Sequence, residues 1–357
     1  MEVVEIASLK KFYAGRRVLV TGHTGFKGAW LSLWLESLGA KVSGVALPPE
    51  PGRLYERARV GELVESRTRD IRDADGLEGE FAALKPQLVF HLAAQPLVRL
   101  SYKRAAETFA VNVQGTVNTL EAARKAGADQ IVVITTDKVY ENAQPERPCR
   151  EGDPLGGRDP YSASKACADI AAASYARSFP QLAVAVARAG NVIGGGDWAE
   201  DRLIPDCVRA LEAGAALTIR SPRSVRPWQH VLEPLSGYLM LAERLAADPK
   251  RFGGAWNFGP DAGEELPVDD VVRETLAAWG APEHPVRNGF EGPYESPELR
   301  LDSSKAKAEL GWKPAFGTRR AIRESVSWYK AVAAGADARV ECRRQIDEFS
   351  SAPAAHG

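Results

Sequence analysis

The chain has 357 residues, 45% apolar and 26% charged, with a formal net charge of −1. That length buries a sizeable core in one large domain or two intimate ones, in proportions ordinary for a water-soluble globular enzyme. So neutral a balance carries no basic field, so neither nucleic acid nor a membrane surface is an expected partner, although single basic residues remain available to a small anionic ligand.

Met1 to Gly15 lacks an apolar core of signal-peptide length and carries Lys10 and Lys11 in its middle. No apolar run approaches the roughly 18 residues of a membrane span, and a cytoplasmic protein is expected. Arg17–Thr21 reads as a strand and Gly28–Leu38 as a helix, with Trp30, Leu33, Trp34 and Leu38 at helical spacing and Gly39 as its stop. Strands are expected at Val42–Leu47, Glu65–Ile71, Gln87–Leu92, Gln130–Thr135 and Leu182–Arg188, and a long helix at Glu107–Ala126. This alternation argues for a doubly wound α/β fold, a parallel sheet covered by helices on both faces. After Gly194 the character changes. Gly194 to Trp198 is loop-like, Leu203–Ala213 is helical, and short strands, prolines and basic residues follow. Ala255–Phe258 would return as one more strand. The expected division is a dinucleotide domain over 1–190, joined by residues 254–260, with a smaller interleaved lobe over 191–350. The tail after Ser350 is expected to be disordered. Cys149, Cys167, Cys207 and Cys342 form no CxxC pair, and their spacing suits neither zinc nor a disulfide framework.

Gly22-His23-Thr24-Gly25-Phe26-Lys27-Gly28 has the form GxxGxxG between a strand and a helix. The glycines permit a tight turn and close backbone approach to a pyrophosphate, and the helix N-terminus offers free N–H groups and partial positive charge. Lys27 would add a charge. The NAD or NADP choice stays open: the strand ends Ala46-Leu47-Pro48-Pro49, the first acid is Glu50 and the first base Arg53. Asp70 and Ile71 would bracket the adenine, although Asp70 also suits a simple turn cap.

Tyr161 and Lys165, four apart, share a helix face. A nearby lysine favours phenolate, and a phenolate takes a proton from a hydroxyl as hydride leaves the same carbon. Thr136-Asp137-Lys138 follows the strand at Gln130–Thr135, where ligands of parallel sheets sit.

Together these residues resemble the extended short-chain dehydrogenase/reductase family, on Gly22, Gly25, Gly28, His91-Leu92-Ala93-Ala94, Asn112, Thr136, Tyr161 and Lys165, over about Gly15 to Lys330. The resemblance implies a Rossmann-type fold, bound NAD touched also by Ala93, Ala94 and Asn112, and a homodimer paired through Glu107–Ala126 and Tyr161–Ser178. Within the family, nucleotide-sugar 4,6-dehydratases follow the Ser/Thr with an acid and a second functional residue, usually Thr-Asp-Glu in the dTDP-glucose enzymes. Thr-Asp-Lys, with the GHTGFKG string, Trp30, Ala94-Gln95-Pro96-Leu97-Val98-Arg99 and Gly195-Gly196-Asp197-Trp198, is similar to the CDP-glucose branch.

The implied reaction opens with Tyr161 deprotonating the C4 hydroxyl, held by Thr136, while its hydride moves to the cofactor. The 4-ketone acidifies C5–H. Water then leaves across C5 and C6, and hydride returns to C6. Asp137 is the expected acid, its pKa raised by burial, and Lys138 the expected base or enolate stabiliser, coupled to it. An exposed Asp137–Lys138 loop pair is the plainer alternative. For the sugar nucleotide, Gln95, Arg99, Asn191, Arg202, Arg220, Arg226 and Arg300 are the expected contacts, the arginines because guanidinium matches phosphate. His230 is expected to be a packed residue. Trp198 and Trp228 would wall the nucleotide or fill the core. An epimerase or 4-ketoreductase would share Tyr161 and Lys165 without needing Asp137 and Lys138. A non-catalytic dinucleotide sensor would have no use for either pair.

Overall fold

The computed structural model describes residues 3–141, 147–289 and 298–352. Seven strands form one parallel sheet: β1 (Arg17–Thr21), β2 (Lys41–Ala46), β3 (Glu65–Thr68), β4 (Leu88–His91), β5 (Gln130–Ile134), β6 (Ala183–Ala189) and β7 (Gly254–Phe258). Their spatial order is β7-β6-β5-β4-β1-β2-β3. Register runs Val20 beside Gly44 and Phe90, Val132 beside Ala185, and Ala187 beside Trp256.

Alternating residues sort onto two faces, as a strand's period of two demands. Val18, Val20, Phe90, Val132 and Ala187 pack with α1 (Val3–Tyr13), α2 (Phe26–Ser37) and a later helix, Leu232–Ala247, through Tyr13, Trp30, Trp34 and Leu235. Leu19, Val89, Ile131, Val133 and Val186 pack with Ala74–Leu84, Gly115–Lys125 and Pro160–Ser178 through Phe81, Leu120 and Ala172. The chain leaves β1 for one face and β4 for the other, so a crevice opens between their carboxyl ends, the usual ligand position in such sheets. His91 spans that point, hydrogen-bonded to Thr21 Oγ1 at 2.8 Å and Thr116 Oγ1 at 3.0 Å.

The strand expectations hold within a few residues, and the helix at Leu203–Ala213 is found as read. One difference has a physical cause. The stretch expected as one helix over Glu107–Ala126 is broken into Ala105–Phe109, a π-helical turn at Ala110–Gln114, and Gly115–Lys125. Within that turn Asn112 is buried, bonded to Gln95 and Ser164. The N-terminal segment is a helix whose Leu9 and Tyr13 are fully buried. At the other end, the helix Ala338–Ser351 buries Phe349, so the chain is ordered through Ala352 and residues 353–357 lie outside the described residues. Among the described residues no helix is long and apolar enough to cross a membrane.

Candidate active site

A cavity of about 450 Å³ lies beyond the carboxyl ends of β4, β5 and β6. Thr136, Asp137, Lys138, Tyr161 and Lys165 all line it. Residues 136–138 reach it because β5 ends at Ile134 and Thr136 caps a short turn, Asp137–Val139, by accepting from Lys138 N. Tyr161 and Lys165 come from the first turns of Pro160–Ser178, started by Pro160 and by Asp159, whose carboxylate accepts from Ser162 N at 2.9 Å.

Asp137 is 5% exposed. Its Oδ1 accepts from Thr136 Oγ1 at 2.9 Å, and its Oδ2, shielded from solvent, has no partner among the described residues. Burial raises its pKa, against the pull of Lys138, the Thr136 hydrogen bond and Arg226. A buried carboxyl with one unpartnered oxygen is held toward its protonated form, the form a proton donor needs. It is not a solvated loop pair, although Lys138 itself is only half-buried.

The Tyr161 phenol is pushed up to about 12, chiefly by burial; the hydrogen bond with Thr136 lowers it, Asp137 raises it and Arg202 lowers it. Lys165 is the residue expected to hold the phenol down. Lys165 Nζ donates to the Ile134 carbonyl at 2.9 Å, and burial brings the amine itself down to about 8. The hydroxyl of Thr136 and the charge of Arg202 also lower the phenol.

The glycine loop has the shape a dinucleotide requires. Gly22 sits at φ +74°, and a Cβ there would lie 2.8 Å from Ala93 N. A Cβ on Gly28 would lie 2.2 Å from the Gly22 carbonyl oxygen, so the helix can start this close only without a side chain. Gly25 caps α2 with no side-chain bond to its first N–H groups. The turn, the close approach and the uncapped helix end all fit a pyrophosphate. Arg53, the basic residue after β2, is paired with Glu50 at 2.8 Å.

Several residues expected at the cofactor face elsewhere. The His23 ring is buried beneath the loop, 2.7 Å from Ser66 Oγ, and burial lowers its pKa to about 4. Thr24 Oγ1 donates to Leu47 O, and the Phe26 ring lies by Gly194. Lys27 donates to Tyr238 Oη at 2.9 Å and lines the reaction cavity; burial, then Lys165 and Arg202, lower its pKa to about 7. Asp70 caps a turn, accepting from Arg72 N and its guanidinium. Ile71 is core, against Gly115. Asn112 braces the loop at Gln95, whose own amide is spent on Leu97 and Thr108. Ala94 lines the cavity, while Ala93 packs among the apolar residues of the second sheet face.

Of the expected substrate residues, Arg99, Asn191, Arg202, Arg220 and Arg226 line the cavity. Arg202 is held by Asp197 at 2.7 Å, and Arg226 is buried, donating to Val225 O. Gln95 and Arg300 are not brought to it; Arg300 pairs with Glu298. Trp228 reaches the cavity, whereas Trp198 packs edge-on against Tyr329. His230 is packed between Trp30 and Phe316, as expected. Sequence reasoning missed Lys27 as a cavity residue. It also missed Asp201, which bonds both Arg99 and Arg220. No spacing signal exists for a contact made 102 residues apart.

The doubly wound sheet, the glycine cradle and the Tyr/Lys helix define a nucleotide-cofactor enzyme of the short-chain dehydrogenase/reductase type. Residues 18–259 match the NAD dependent epimerase/dehydratase family, and the chain belongs to it. It is 46% identical to a CDP-glucose 4,6-dehydratase of Salmonella typhimurium over 353 residues, 96% of this chain and 98% of that one. Among solved structures, the Thermus thermophilus UDP-glucose 4-epimerase complex with NAD superposes with a TM-score of 0.79 at 26% identity, covering 88% of this chain and 99% of that one. A dTDP-glucose 4,6-dehydratase of Streptomyces venezuelae, also with NAD bound, gives 0.78 at 28%, covering 89% and 98%.

Proposed function

We propose that this chain is a hydro-lyase that converts CDP-glucose to CDP-4-keto-6-deoxyglucose with tightly held NAD. The observation that carries the reading is Asp137, a buried carboxyl with one unpartnered oxygen and the other bonded to Thr136, among the residues that line the cavity with Tyr161 and Lys165. Hydride transfer alone has no use for it. The near full-length likeness to a CDP-glucose enzyme supports the sugar nucleotide.

Gly22, Gly25, Gly28 and the first turn of α2 would hold the pyrophosphate of NAD, with Lys165 near its reactive end. When bound, NAD supplies the acceptor for the C4 hydride, the later donor of that hydride to C6, and positive charge. Tyr161 takes the C4 hydroxyl proton, aided by Thr136, Arg202 and that charge. Asp137 gives its proton to the departing C6 hydroxyl, while Lys138 takes the C5 proton or steadies the enolate. Arg202, Arg220 and Arg226 would meet the diphosphate, with Arg99 beside Arg220 on Asp201.

The test is to load purified protein with NAD and offer CDP-glucose, dTDP-glucose, UDP-glucose and GDP-mannose separately. Loss of one water, read by mass spectrometry, is expected with CDP-glucose only. Inversion at C4 without that loss would make the chain an epimerase, and loss of water from another sugar nucleotide would move the specificity. In Lys138→Ala, wash-out of C5 deuterium should stop; unchanged wash-out rejects Lys138 as the base. Homodimer formation belongs to the same reading: exposed Phe109 and Ile170 lie on the two segments the resemblance pairs. Light scattering after size exclusion tests it.

A further inference from the structure

Three arginines of the cavity are met by aspartates, in two different ways. Arg202 and Asp197 form a pair whose carboxylate is buried. Arg99 and Arg220 both bond a single oxygen, Oδ1 of Asp201, at 2.9 and 2.6 Å. This second cluster lies in the part-exposed rim of the cavity, with the Asp201 side chain 38% exposed. Asp201 also stands at φ +61°, left-handed backbone that aspartate and asparagine enter more readily than other side chains.

Two guanidiniums on one carboxylate leave this cluster of three with one net positive charge and several unused N–H donors. Exposed ion pairs exchange readily, because water and ions compete for both sides. A diphosphate brings more charge than Asp201 and several oxygens at the spacing a guanidinium fork prefers. We propose that Asp201 is a latch: its carboxylate occupies Arg99 and Arg220 in place of phosphate and releases them when the substrate's diphosphate enters. This inference rests on the nucleotide-sugar reading of the cavity. It gives Asp201 a positioning and gating role at the rim, outside the reacting set. The latch keeps two like charges from repelling in the empty pocket and weakens binding of any ligand that must open it.

The experiment is calorimetric titration of NAD-loaded protein with CDP, UDP, dTDP and cytidine, on wild type, Asp201→Asn and Asp201→Ala. Asparagine tolerates left-handed backbone, so the loop is kept. A latch closed about nine-tenths of the time predicts CDP binding about tenfold tighter in D201N, since the competent fraction multiplies affinity. Cytidine, lacking phosphate, should bind all three proteins alike. D201A should follow D201N, which excludes a new contact by the asparagine amide. CDP binding that is unchanged or weaker in both variants overturns the latch and makes Asp201 a prop for its arginines. Wild type that binds none of CDP, UDP or dTDP overturns the underlying reading as well, so the two failures are told apart.

Discussion

Asp137 is the residue on which chemistry and stability pull in opposite directions. Its raised pKa means the folded state favours the protonated form. The stability it contributes is therefore full below the ordinary carboxylate range and is lost as pH rises through the folded value. Asp137→Asn removes that burden while keeping the shape. We expect D137N to melt at a higher temperature than wild type at neutral pH, with the gap closing as pH falls toward 4, the ordinary carboxylate range. Equal melting curves at every pH would show that Asp137 is not strained by burial. Catalytically, loss of one general acid should lower turnover about 10²- to 10⁴-fold. Cofactor reduction by CDP-glucose, read by absorbance, should persist, because Thr136 and Tyr161 remain. Thr136, Asp137, Tyr161 and Lys165 were legible because each is fixed by its offset from a strand end or along one helix. Asn112 and Gln95 were not, and Asp70 was legible only in its plainer reading as a turn cap. Asp70 and Gln95 each bond a backbone N–H two residues on, a local competitor, while Asn112 is taken by the Gln95 backbone 17 residues away.

At the scale of elements, the strand–loop–helix unit from β1 to α2 holds the least slack. Gly28 starts the helix against the Gly22 carbonyl, a backbone atom that cannot swing aside. Gly28→Ala should destabilise the protein by about 1–3 kcal/mol, as overpacking does, and weaken NAD by about tenfold or more, equivalent to about 1.4 kcal/mol. Urea unfolding and a fluorescence titration read the two effects; wild-type values in both would mean the loop adjusts freely. This unit was legible because glycine spacing and apolar runs are local signals. The helix at Leu232–Ala247 was not read, because it is buried nearly all round and shows no polar face to give it a period. The π-helical turn at Ala110–Gln114 also escaped, since a single added residue per turn barely disturbs an apolar pattern.

Across the whole molecule, Glu233 ties the late segment to the sheet layer. It sits in the first turn of Leu232–Ala247, fully buried, and accepts from the backbone N–H groups of Ala315 and Phe316. Burial outweighs those donors and lifts its pKa to about 8. Because that value is raised, its contribution to stability is full below the usual glutamate range, falls from there, and is gone once pH passes about 8. Wild type should thus lose melting temperature between pH 5 and pH 8.5, the span that brackets that titration. Glu233→Gln should flatten the decline by about 1 kcal/mol or more, the worth of a pKa unit. A parallel decline in the variant would place the pH dependence elsewhere.

The parallel β7, drawn from Gly254–Phe258, has a consequence for how the molecule is made. The strand it covers, β6, ends at Ala189, so 64 residues must leave the ribosome before β6 gains its last neighbour at Gly254. During that interval Val184, Ala185, Val186 and Ala187 present an open apolar strand edge, the kind that recruits other chains. Arrested translation anywhere between these strands leaves a nascent protein with a nearly finished cofactor fold and one adhesive side. Nascent-chain quality control would meet this protein there.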